Sequence, residues 1–197
     1  DDILDHSTQN MLRFYKADEH HASHVTAMAD QLFAALEPFH KLEARNRALL
    51  RVAALLHDIG ITVNYYDHAR HSAYLVENAR LFGLTHREQM LISVVAGWHG
   101  GASIKYYRGR IYTEFLDEAD WDVARKMALL LAIAETLDET QTHAIQRIEP
   151  VVDADNKRLH LRYQAAGPCA LETLATNRHA RWFKKELGLE LVLSPVE

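Results

Sequence analysis

The pair His57-Asp58 sits where chemistry is expected, at the end of the run Ala53-Ala54-Leu55-Leu56-His57-Asp58-Ile59-Gly60. Imidazole nitrogen and carboxylate oxygen are both good ligands for divalent cations. Leaving them buried without a partner is costly. A cation resolves that cost; so does an ordinary bond from the imidazole to a helix-end carbonyl. Three further histidines stand at places a ligand would occupy: His21 on an apolar helical stripe, His71 at a helix start and His99 at a helix end before Gly100-Gly101. Glu135 and Asp138 are carboxylates on an otherwise apolar run. Four imidazoles and two carboxylates suffice for two divalent ions bridged by Asp58. A metal pair of this kind activates water and clamps a phosphoryl group. Lys105, Arg108 and Arg110, set between tyrosines, are either a solvated loop or donors to phosphate oxygens.

These residues need elements that bring them together. Asp5 to Tyr15 reads as a short helix docking through Met11, Leu12, Phe14 and Tyr15. Asp18 is an N-cap, and the helix after it carries Val25, Met28, Ala29, Leu32, Phe33 and Leu36 at spacings of three and four. His21 falls on that stripe; His20 and His24 flank it and rank lower as ligands. Pro38 is expected to end this helix. Leu42 to His57 is a second helix, apolar on nearly every face from Arg47 and therefore buried, with Gly60 as its stop. His71 opens a third, with Ala73, Tyr74, Leu75 and Leu81 inward. Thr85 and Glu88 form a capping box for a fourth, running to Trp98. Ala102 to Tyr112 reads as a loop and Asp120 to Thr140 as a last long helix. Ala144–Val152, Lys157–Tyr163, helical Ala170–Leu187 and Leu189–Leu193 then make a β-β-α-β tail. The expected fold is a mainly α bundle over 1–142 with a small α/β module over 143–197 packed on it. Metal sites in bundles are built from inward side chains on different helices.

Composition narrows the function classes. The chain has 197 residues, 48% hydrophobic and 25% charged, as in a soluble globular protein. A net charge of -5 gives no basic excess for nucleic acid. The single cysteine, Cys169, forms neither an internal disulfide nor a thiolate zinc site and fits a reducing, cytoplasmic setting. No apolar run suits a bilayer span or a signal peptide, so no membrane partner is expected. The 13 histidines are the compositional excess.

The order His, His-Asp, His, His, acid resembles the HD superfamily of metal-dependent phosphohydrolases. More narrowly, the chain is similar to the C-terminal region of the exopolyphosphatase / guanosine pentaphosphate phosphohydrolase family. The matching stretches are His21-Ala22-Ser23-His24-Val25, Ala53 to Gly60, His71-Ser72-Ala73-Tyr74-Leu75, Trp98-His99 and Leu131 to Asp138; the tail ending Phe183-Lys184-Lys185-Glu186-Leu187-Gly188 matches too. The resemblance implies an HD-type bundle and one or two divalent ions of Mn, Fe, Co, Ni, Zn or Mg. Their ligands would be His21, His57, Asp58, His71, His99 and Glu135, with Asp58 the catalytic centre. In an enzyme reading the basic loop residues Lys105, Arg108 and Arg110 are the substrate-phosphate contacts. The superfamily usually has aspartate where this chain has Glu135, with Asp138 one turn on as the alternative ligand.

Two functions follow. One is a metal-dependent phosphohydrolase acting on a phosphoanhydride or phosphoester, such as polyphosphate or a nucleotide-like substrate. The other is a non-catalytic accessory domain that binds polyphosphate or a guanosine polyphosphate, since that family's phosphatase site lies in an actin-like N-terminal half. A homodimer through Trp98, Trp121 or Trp182 is a third reading.

Overall fold

The computed structural model describes residues 2–99, 104–109 and 111–196. Its helices in chain order are α1 (Asp2–Phe14), α2 (Glu19–His40), α3 (Ala44–Leu56), α4 (His68–Glu77), α5 (His86–Trp98), α6 (Ile104–Arg108), α7 (Glu118–Thr136), α8 (Ala170–Asn177) and α9 (Ala180–Leu187). Its strands are β1 (Ile145–Asp153), β2 (Arg158–Ala165) and β3 (Glu190–Pro195). The protein is mainly α with a small sheet near its C-terminus, as the periodicity predicts.

α3 is the central rod. Leu49, Leu50, Val52, Ala53, Ala54 and Leu56 are all buried along it; α1, α2, α5 and α7 pack around it. Capping fixes where its neighbours begin. The Asp18 carboxylate accepts from the His20 and His21 backbone N–H groups. Thr85 with Glu88, and Asp117 with Asp120, close reciprocal capping boxes on α5 and α7.

Pro38 does not end α2. The helix runs two residues further, to His40, where Lys41 turns left-handed (φ 55) and donates to the Glu37 carbonyl. Pro38 and Ala34, whose carbonyl loses its bond, are both on the exposed face, so the vacated acceptor is open to solvent. Two expected inward residues lie outside instead: Phe14 and Tyr74 are 78% and 59% exposed, respectively. The expected loop at 102–112 carries structure, because Tyr107 and Tyr112 are buried and anchor α6 and a 3-10 turn at Ile111–Glu114.

α7 starts two residues before the expected Asp120 and ends four before Thr140. Asp138 donates its N–H to the Glu135 carbonyl, and Gln141 bonds back to Asp138, so the chain leaves the helix in tight turns with Gln141 and His143 left-handed. β1 and β2 pair antiparallel, β2 and β3 parallel, in the order β1-β2-β3. Ile145, Ile148, Leu159, Leu161 and Leu191 form the sheet's buried face with Phe183 and Leu187 of α9. β1 contacts α2, and α8 and α9 contact α7. The single helix expected over 170–187 is two, broken at Arg178 and His179. Among the described residues no helix is long and apolar enough to cross a membrane.

Candidate metal centre

α3 ends at Leu56, so His57 and Asp58 emerge where the helix stops and before a 3-10 turn at Ile59–Thr62. Gly60 acts here by its size rather than as a left-handed stop. A Cβ on it would lie 2.1 Å from the His68 carbonyl oxygen and 2.4 Å from the Ser72 nitrogen. Only a bare backbone lets the turn press against α4, where the Gly60 N–H donates to Ser72 Oγ at 2.8 Å. That contact brings His68, in the first turn of α4, to Asp58.

Four imidazoles face the Asp58 carboxylate through Nε2. The separations are 3.6 Å from His21, 3.6 Å from His57, 3.3 Å from His68 and 3.7 Å from His99. In each ring the other nitrogen, Nδ1, is already tied to an acceptor. His21 Nδ1 donates to Asp138 Oδ2 at 2.8 Å, His57 to the Ala54 carbonyl at 2.7 Å and His68 to the Tyr65 carbonyl at 3.0 Å. His99 Nδ1 donates to the Ala96 carbonyl. A nitrogen that faces a carbonyl must carry the proton, so Nε2 of a neutral ring is a bare lone pair. The Nε2 atoms of His21, His57 and His99 are buried and have no hydrogen-bond partner among the described residues.

Lone pairs converging on a carboxylate are mutually repulsive unless a cation lies among them. All four separations exceed the 2.7–3.2 Å of a hydrogen bond. They match instead the roughly 3.4 Å between two ligand atoms that share a tetrahedral ion at about 2.1 Å. The ligand atoms form two sets, each within a 4.8 Å span: His21, His57 and Asp58, and Asp58, His68 and His99. Asp58 belongs to both. The donor set, three orphaned nitrogens included, fits one or two divalent cations.

Electrostatics divides the rings into two kinds. Burial pushes His57 down and His99 down to about 3, so both are neutral at neutral pH. His21 is raised: burial opposes this, but the Asp138 bond and the Asp58 charge prevail. His68 is raised by the Asp58 carboxylate beside it. Burial alone would raise Asp58, yet the surrounding imidazoles, His68 with its raised pKa among them, hold its carboxyl well below the ordinary range.

The expected residues therefore fare differently. His21, His57, Asp58 and His99 are brought together. His71 joins neither ligand set; half-buried, it has its Cβ stem against Gly60. α4 starts three residues earlier than expected, which turns His68 inward instead, one helical turn from His71. The sequence signal was a second histidine at that spacing. Glu135 is in neither set, but burial and then the Asp58 charge push its carboxyl up to about 8, which puts it within electrostatic reach. Asp138, considered as an alternative ligand, is fully buried and orients His21; its Oδ1 accepts from the His143 N–H at 2.8 Å. His20 is exposed and His24 bonds the Ile145 carbonyl at 2.8 Å. Arg108 holds Glu118 through two 3.0 Å bonds and lies 5.3 Å from the Trp121 ring centre. Lys105 is exposed; Arg110 lies outside the described residues. A cleft of about 370 Å³, lined in part by Tyr15, Lys16, Asp18, Ile61, Thr62 and Gln141, opens onto Asp58.

Comparison with known proteins gives two findings. The family described as Ppx/GppA phosphatase, domain III matches residues 3–178. The "Guanosine-5'-triphosphate,3'-diphosphate pyrophosphatase" proteins of Aeromonas hydrophila subsp. hydrophila and Aeromonas salmonicida are each 34% identical over 95 residues. Those residues are 48% of this chain and 19% of each relative, so the likeness spans about a fifth of the relatives' length.

Proposed function

This chain belongs to the Ppx/GppA phosphatase, domain III family, and from that premise we propose that it is a metal-dependent phosphohydrolase of the HD type acting on a phosphoanhydride or phosphoester. The observation that carries the reading is the convergence of four Nε2 atoms on one ionised carboxylate, with every Nδ1 tied outward. His21 and His57 with Asp58 would hold one cation, and His68 and His99 with the same Asp58 a second, Glu135 completing the set. When bound, such ions supply Lewis acidity, lowering the pKa of water and neutralising phosphoryl oxygens.

The chain's own residues prepare this. Asp138 keeps the His21 proton on Nδ1, so that Nε2 is presented to the cation. His57 and His99 are held neutral by burial and need lose no proton to ligate. Gln141 Nε2, 3.4 Å from Asp58 Oδ2, helps steer that carboxylate. The cleft at Asp58 admits a phosphorylated substrate. The name of the relatives favours a guanosine polyphosphate.

The short share of those relatives that is matched supports a second reading. In it the same centre binds a polyphosphate or guanosine polyphosphate and turnover belongs to another part of the protein. Phosphate release from tripolyphosphate and from guanosine nucleotides separates the two. The protein, loaded in turn with Mn²⁺, Co²⁺, Ni²⁺ and Zn²⁺, is compared with its Asp58→Ala variant. Hydrolysis abolished by the substitution supports the enzyme; equal hydrolysis by both refutes it; binding without hydrolysis supports the accessory role.

A further inference from the structure

Lys16 follows α1 in a left-handed conformation, φ 50. Few non-glycine residues occupy this region, and those that do merit a functional question. The turn is firmly made: the Lys16 N–H donates to the Arg13 carbonyl at 3.1 Å and the Ala17 N–H to that of Leu12 at 3.2 Å. Thr62 Oγ1, from the turn after Asp58, donates to the Tyr15 carbonyl at 2.5 Å and ties this corner to the candidate centre. Glycine would satisfy the backbone better, yet the chain places a long cation there.

Lys16 and Asp58 line the same cleft, and Lys16 is the cation among its described lining residues. Its side chain is exposed and forms no ion pair among the described residues. The nearby acid, Asp18, already accepts from the His20 and His21 N–H groups. Arg108 is held by Glu118, and Arg70 lies over Tyr106 at 4.6 Å.

We propose that Lys16 is a substrate-binding residue of this cleft, receiving phosphate oxygens of a condensed phosphate or phosphate ester whose reacting phosphorus sits at Asp58. The assignment deepens the phosphate-handling reading above and rests on it. A lysine supplies a flexible point charge that follows phosphate groups rather than fixing one geometry. It then contributes to holding the substrate and not to holding the metal.

The test is calorimetric titration of inorganic phosphate into Mn²⁺-loaded protein, with the metal content of each sample measured alongside. Three variants are compared with the parent: Lys16→Gly, Lys16→Met and Lys157→Gly. Lys157 is a matched control, an exposed lysine with φ 51 in the β1–β2 turn. Both Lys16 variants are expected to bind phosphate about tenfold more weakly, the usual loss for one charge-assisted contact. Their metal content should equal the parent's, and Lys16→Gly should melt no lower, since glycine relieves the backbone. Lys157→Gly should bind phosphate as the parent does. A change under about threefold, the range of an ordinary surface pair, overturns the proposal; so does loss of metal with Lys16, or absence of phosphate binding by the parent. If the parent takes up no metal, the metal-dependent reading fails. The titration still decides Lys16: dependence on it sustains the assignment, and independence overturns it.

Discussion

Asp58→Asn removes one negative charge from a point that four imidazole nitrogens face at 3.3–3.7 Å. The carboxylate is shared by both ligand sets, so the substitution leaves each with two strong donors instead of three. Removing one partner from a buried charge interaction costs about 3–5 kcal/mol, or at least two decades in affinity. Stability reports this directly. A cation at a hundred times its dissociation constant stabilises the folded state by about 2.7 kcal/mol. For a chain of 197 residues each kcal/mol moves the melting midpoint by about 2–4 °C, so the parent should gain about 5–11 °C. At the same cation concentration the variant sits near its own dissociation constant and gains roughly 0.4 kcal/mol, about 1 °C. The assay is differential scanning calorimetry with and without EDTA, scanning Mn²⁺, Fe²⁺, Co²⁺, Ni²⁺ and Zn²⁺ in turn. A parent whose midpoint no cation moves, or an asparagine variant that rises as far, refutes the metal centre.

Other expectations follow from the same geometry. Asp138→Ala frees His21 Nδ1, and cation affinity measured by competition with a chelating dye should fall about 10–100-fold; an unchanged affinity would remove Asp138 from the assembly. Gly60→Ala drives a methyl into the backbone of α4 and should destabilise by about 2–3 kcal/mol in urea unfolding, with cation binding weakened because His68 moves; a variant as stable as the parent contradicts the close approach. The metal-free protein should be most stable near pH 6.5. Below it, His57 and His99, both depressed from 6.5, must be protonated on unfolding and so lose stability toward acid. Above it, His21 and His68, raised from 6.5, and Glu135, raised to about 8, contribute less as they deprotonate; a midpoint still climbing from pH 6.5 to 8 would oppose this balance. Cation affinity should rise over that same interval, because His21 and His68 release protons to ligate.

Much of the scaffold was legible because burial writes itself into spacing. The α2 stripe, the all-apolar α3 and the capping box at Thr85 each follow from local chemistry and appear in the structure. His57 and Asp58 were readable because a polar pair at the end of a buried helix demands a partner. What failed was phase and termination. His68 and His71 are equivalent to any helical pattern; the start of α4, set by the contact at Gly60, decides which one faces Asp58. Asp138 looked like a helix-face carboxylate until α7 ended at Thr136 and turned it toward His21. The charge density expected of the 102–112 loop promised a phosphate contact, but periodicity could not foresee that Glu118 would engage Arg108. Lys16 carried no motif at all; Lys157 shares its left-handed backbone, and only its place in the cleft singles Lys16 out.

The connection from α7 to β1 touches the centre twice, through Asp138 on His21 and Gln141 on Asp58, and β1 then opens with the Ile145 carbonyl on His24. The sheet is thereby moored to the ligand shell instead of hanging from it. A polypeptide cut just after Thr136 would keep the histidines and Asp58 of both ligand sets, and yet lose the group that tells one ring which way to point.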